Sequence, residues 1–193
     1  MRAFVRVIEL GALGAGYALL ILAFLTTFEI VARKLFNFSI QGVDELGGYA
    51  LAITASLGFG YAALERAHTR VDFLLRHLPE RVRAIIHALS WTILCAQALF
   101  MTWYARGALN ETLLYGSVAN SPLQTPLWLP QTFWLVGFLI FSASTALMAG
   151  RAWRALASGV PGAVDRVAGN PSMDEEIHAA TLAAARRSGV DPA

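Results

Sequence analysis

Four long apolar runs, at residues 10–28, 46–64, 84–104 and 127–150, constrain this chain more than any other feature. A helix needs about 20 apolar residues to cross the roughly 30 Å hydrocarbon core of a bilayer, and each run is close to that length. The first two carry no charge. The third holds only His87 and Gln97 as strongly polar members, and the fourth only the neutral Gln131. Lipid offers no partner to backbone N–H and C=O groups, so a spanning segment is either a helix or a strand of a closed barrel. Barrel strands would alternate in polarity over about ten residues, and these runs do not alternate.

Composition agrees. Of 193 residues, 56% are hydrophobic and 15% charged, with mean hydropathy +0.54; a soluble domain has about 25% charged residues. No soluble module is large enough to present a basic, aromatic nucleic-acid face. The lone Cys95 lies within an apolar run. It excludes an intramolecular disulfide and a thiolate metal site and reads as a small buried hydrophobe. Arg2 and Arg6 precede the first run, but that run exceeds the about 7–15 residues of a signal-peptide core. It reads as a retained span.

The basic residues set an orientation. On one side of the four spans lie Arg2, Arg6, Arg66, Arg70, Arg76, Arg81, Arg83, Arg151, Arg154, Arg166, Arg186 and Arg187; on the other lie Arg33, Lys34 and Arg106. Twelve against three is a positive-inside bias. The expected fold is therefore an all-α membrane protein of four transmembrane helices with N and C termini cytoplasmic. Trp91, Trp103, Trp128, Trp134 and Trp153 fall near span ends, where an apolar ring with one polar N–H anchors at the membrane interface.

The loops differ in character. The inner loop, residues 65–83, combines charge with the apolar Val71, Phe73, Leu74, Leu75 and Leu78, as a short helix at the headgroups would. The outer segment, residues 107–126, is the longest non-span stretch on its side. Its Asn120-Ser121-Pro122 and Thr125-Pro126 make an irregular approach to the fourth span. Residues 1–155 are read as the membrane domain and 156–193 as a cytoplasmic tail. In the tail Gly159, Pro161, Gly162, Gly169 and Pro171 suggest a linker. Ser172 to Glu175 read as a capping box for a short helix around 173–187.

Ionisable groups in or beside spans are functional suspects. Glu29 and Arg33 are four apart and share a helix face. Asp44 and Glu45 open the second span, where the helix dipole favours acids. With Glu29 they also offer oxygen ligands of the kind a hard cation takes, but an ion-pair and capping cluster is the simpler reading. His68, Arg70 and Asp72 form a second group in the inner loop, with too few ligands at fixed spacing for a metal. Catalysis finds no inventory: no facing histidines for haem, no cysteine pair and no phosphate-binding glycine loop. The serines within the spans fit helix packing. No cofactor and no enzymatic activity are expected.

Three stretches, in order, resemble the small membrane subunit of tripartite ATP-independent periplasmic (TRAP) transporters. They are Glu29-x-x-x-Arg33-x-x-Phe36 through Ser39 to Asp44-Glu45-Leu46; His68-Thr69-Arg70-Val71-Asp72-Phe73-Leu74 with Leu78-Pro79; and Ser121-Pro122 through Thr125-Pro126-Leu127-Trp128-Leu129-Pro130-Gln131. With the four spans the resemblance covers about residues 5 to 155. The chain departs from it where the family often has tryptophan before the acidic pair, here Gly42-Val43, and glycine before the histidine, here Ala67. The resemblance implies a scaffold subunit in a bacterial inner membrane. Its partners would be a large membrane subunit, carrying substrate and sodium sites, and a periplasmic protein delivering an organic acid. Glu29, Arg33, Asp44, Glu45, His68, Arg70 and Asp72 would then fix helix turns and the subunit contact. Asn120, Ser121, Thr125 and Pro126, with the first outer loop, would face the periplasmic protein. The rival reading is a self-contained oligomeric channel or carrier, against which the uniformly apolar spans argue.

Overall fold

A computed structural model describes residues 2–38, 40–66, 78–160, 162–169 and 181. Five helices account for most of them: α1 (Arg2–Phe36), α2 (Val43–Leu64), α3 (Glu80–Tyr115), α4 (Trp128–Ala157) and the short α5 (Ala163–Ala168). Four are long and apolar enough to cross a membrane. Among the described residues the only strand-like pairing is an isolated antiparallel bridge between Val118 and Pro126.

Neighbour relations place the long helices in an open row. α1 packs chiefly on α2, α2 on α4, and α4 on α3, while α5 lies across α4 and α3. α4 is the centre, with 39% of its most apolar stretch buried; α1 is the edge, with 11%. On α1, Leu10, Leu13, Tyr17, Ile21, Phe24, Phe28, Val31 and Leu35 remain exposed. They recur every three or four residues and so line one stripe along the helix. An uncovered apolar stripe of that length is incompatible with water and requires lipid or another protein.

Small residues let the row pack. Ser56 of α2 lies directly on Gly137 of α4, where any Cβ would overlap the serine side chain, and Gly60 faces Ile140, whose methyl lies 2.9 Å from where a Cβ would stand. Between α3 and α4, Ala98 and Ala105 are buried. There the Thr102 and Ser142 hydroxyls are 2.8 Å apart, and Thr102 also reaches the Phe138 carbonyl at 3.2 Å. Lipid tails are as apolar as leucine, so close van der Waals approach and interhelical hydrogen bonds drive such association rather than exclusion from water.

Two elements differ from expectation. α3 runs on to Tyr115, taking residues 107–115 from the segment read as non-span. At 1.5 Å per residue its 36 residues reach about 54 Å, well beyond the hydrocarbon core. Gly107, Asn110 and Glu111 end the apolar run without ending the helix. What ends it is Gly116, in the left-handed conformation (φ 58°), with the Ser117 N–H donating to the Thr112 carbonyl at 3.1 Å. The second difference is α5, which occupies the stretch read as a linker and docks on the long helices. The inner-loop group His68, Arg70 and Asp72 and the helix expected around 173–187 lie outside the described residues, Thr181 apart.

Candidate functional site

Polar side chains gather at the two ends of the row. At the end between α1 and α2 the chain leaves α1, turns, and enters α2 through Gly42, whose φ of 90° a side chain would resist. Leu123 from the loop before α4 sits against Gly42, where a Cβ would collide with it.

That contact brings two of the expected groups together. Glu45, in the first turn of α2, accepts hydrogen bonds from the Tyr49 hydroxyl at 2.7 Å and from the Ser121 hydroxyl. The 118–126 loop is itself braced by the Ala119 N–H donating to the Thr125 carbonyl at 2.9 Å and the Gln124 N–H donating to the Ser121 carbonyl at 3.1 Å. Asn120 and Pro126 are exposed on it, and Asp44 is exposed beside Glu45. On α1, Glu29 is buried and pairs with the half-exposed Arg33 at 3.5 Å. At this end Glu45 thus braces α2 to the α3–α4 loop, while Glu29 and Arg33 pair along α1 itself. Tyr49 was absent from the expected set, although its place four residues after Glu45 is the spacing of a same-face partner.

The opposite end, which carries α5, holds a second cluster. Arg83, near the start of α3, grips Asp165 of α5 through Nε at 3.0 Å and through Nη2 at 2.5 Å. The buried His87 lies 3.7 Å from the other carboxylate oxygen. Glu80 accepts from the Gly162 N–H. Arg66, in a left-handed conformation at the end of α2 (φ 56°), donates Nη1 to the carbonyls of Arg166 at 3.0 Å and Gly169 at 3.1 Å. Trp91 is fully buried and donates its indole N–H to the Ala168 carbonyl at 3.0 Å. Trp91 therefore departs from the expected interfacial role: its polar end closes α5 onto α3 rather than meeting headgroups. Residue spacing gave no signal for Asp165, which pairs across 82 positions.

The remaining tryptophans are more open. Trp103 is 69% exposed, with Arg106 5.9 Å from its ring centre. Trp153, 45% exposed, donates to the Thr92 hydroxyl at 2.9 Å. Trp128 is exposed, and Trp134 packs edge-on to Phe138 at 5.0 Å. Chemically, both clusters hold elements in place. Neither pairs a nucleophile with a base among the described residues, and the oxygens of Glu45 are already engaged by hydroxyl donors.

Comparison with known families gives one finding: residues 22–157 match the family described as "Tripartite ATP-independent periplasmic transporters, DctQ component". No curated protein sequence matches the chain. The family match ends at the last residue of α4, so α5 and its clamp lie beyond it.

Proposed function

The chain belongs to the DctQ family, the small membrane component of tripartite ATP-independent periplasmic transporters, and on that premise we propose that it is the scaffold subunit of a sodium-coupled importer in a bacterial inner membrane. The importer would take up an organic acid handed over by a periplasmic binding protein. In this reading the chain touches neither the ion nor the substrate. It packs against the large membrane subunit and widens its fixed part, with both termini cytoplasmic.

The observation that carries this reading is the open row. A carrier acting alone would gather polar side chains around a path through the membrane. Here the long helices lie side by side, and among the described residues the paired ionisable groups sit at the two ends, where Arg83 with Asp165 joins helix to helix, Glu45 with Ser121 joins helix to loop, and Glu29 with Arg33 pairs along α1. The uncovered apolar stripe of α1 supports a second membrane protein on that edge. At the outer end Leu113, Leu114, Tyr115 and Val118 are exposed beside the 118–126 loop, which supports docking of a further component there. Asn120, Ser121, Thr125 and Pro126 would belong to that surface.

Affinity purification of the tagged full chain from its native membrane is the test. A large multispanning protein should co-purify in equal amount, and uptake of an organic acid in membrane vesicles should need both chains, the binding protein and a sodium gradient. Uptake by the purified chain alone in liposomes would overturn the scaffold role in favour of a self-contained carrier.

A further inference from the structure

Gln97 stands well inside the third apolar run, residues 84–104. At 1.5 Å per residue it lies about 10 Å from the nearer end of that run, farther than a glutamine side chain can carry its amide. It is exposed. α3 packs chiefly on α4 and α5, so its open side forms the second edge of the row, opposite α1. Ile93 and Phe100, a turn before and a turn after Gln97, are exposed there too. The other polar side chains of this run are provided for within the chain. The Ser90, Thr92 and Thr102 hydroxyls donate to the Ile86, Ala88 and Ala98 carbonyls, each at 2.8 Å, and His87 is buried beside Asp165. Among the described residues the Gln97 amide has no hydrogen-bond partner. Lipid offers none, and an amide left unpaired in hydrocarbon is costly. A group at that depth calls for a second transmembrane helix that brings a donor and an acceptor.

We propose that two copies of the chain meet along this edge: α3 packs on α3 of the second copy, and the two Gln97 amides hydrogen-bond each other. Matching of depth and of hydrogen-bonding groups carries the assignment. Copies inserted with one orientation and related by a two-fold axis along the membrane normal bring the same residue to the same depth. An amide has both N–H donors and a carbonyl acceptor, so one glutamine satisfies another reciprocally. Side-chain hydrogen bonds of this kind join helices in membranes, where small residues let backbones come close. Ala96 is exposed beside Gln97 and leaves room for that approach. Phe100 shields the amides on one side, backed by the Tyr104 ring at 4.6 Å between centres, and Ile93 shields them on the other. A second copy on α3 leaves the α1 edge to the large membrane subunit. The pairing depends on α3 crossing the bilayer and not on the transport reading.

The test uses the full chain. In a Cys95→Ser background, in the membranes of the cells that make it, Ile93→Cys and Phe100→Cys should each give a disulfide-linked dimer of this chain on oxidation. Leu139→Cys, on the exposed side of α4, should stay monomeric. In neutral detergent the wild-type chain should dimerise in sedimentation equilibrium. Gln97→Leu should raise the dissociation constant about tenfold, the size of one or two interhelical hydrogen bonds, and Gln97→Asn, which keeps an amide, should stay within about threefold of wild type. Leucine suits lipid, so Gln97→Leu should leave the thermal midpoint of the monomer unchanged. The cross-links decide the matter whether or not that variant folds: no dimer from either cysteine would overturn the proposal. So would association of a folded Gln97→Leu chain as tight as wild type. Cross-linking of both cysteines to a larger membrane protein instead of a second copy would give the edge to that protein and overturn the pairing.

Discussion

Asp165 shows how much one carboxylate can do at this scale. It lies where Arg83 and His87 of α3 meet α5, and its bond to Arg83 closes a loop of 82 residues. A charge-assisted hydrogen bond is worth about 1.5–3 kcal/mol, and here both side chains are about 29% exposed, which places the expected effect at the lower end. Asp165→Ala should lower the thermal midpoint of the detergent-solubilised chain, speed tryptic cleavage after Arg166, and give no further loss when combined with Arg83→Ala. Additive losses in that cycle would show that the two residues do not interact. None of this was legible beforehand, because Asp165 sits among glycines and prolines that read as a linker and its partner is remote in sequence. Glu29 with Arg33 was legible, since a four-residue spacing on a helix fixes the geometry locally. Glu45 was legible as a first-turn acid, but its hold on Ser121 was not, because that contact depends on how the α3–α4 loop folds back.

At the scale of elements, the crossing of α2 and α4 depends on residues that hardly have side chains. Ser56 on Gly137 and Gly60 on Ile140 set the separation of the two helices. Gly137→Val should force them apart and cost about 1–3 kcal/mol, the usual range for overpacking. Reversible unfolding in mixed micelles would measure it, and a variant as stable as wild type would show that the crossing is not close at this point. Ser56→Gly combined with Gly137→Ala should recover part of the loss, since the serine side chain is then gone and only the backbone carbon of residue 56, 3.0 Å from the methyl position, still crowds it. The spans themselves were legible as apolar runs; their ends were not. α3 continues to Tyr115 because backbone hydrogen bonding carries the helix on after the hydrocarbon ends, until Gly116 reverses the chain. α5 was missed because six residues bear too weak a pattern to announce a helix, and its stability comes from docking through Asp165, Ala168 and Val164.

Over the whole molecule, the open row fixes what is available to partners. One edge, α1, has a single main neighbour, while α4 at the centre is buried from two sides and capped by α5. If the arginine-rich end faces the cytoplasm, a cysteine placed at exposed Asn120 should react with a membrane-impermeant maleimide added to intact spheroplasts, and one placed at exposed Ser158 should react only after lysis. The reverse pattern would invert the topology and remove the outer docking surface from the proposal. By itself the sequence determined that four helices cross a bilayer, because runs of about 20 apolar residues have no other stable home, and that acids and bases gather at span ends, where water is within reach. Tertiary structure alone decided the order α1–α2–α4–α3 and the clamp of α5. Each of these rests on contacts between residues far apart along the chain, which depend on the shapes of facing helix surfaces and leave no periodic trace in any one segment.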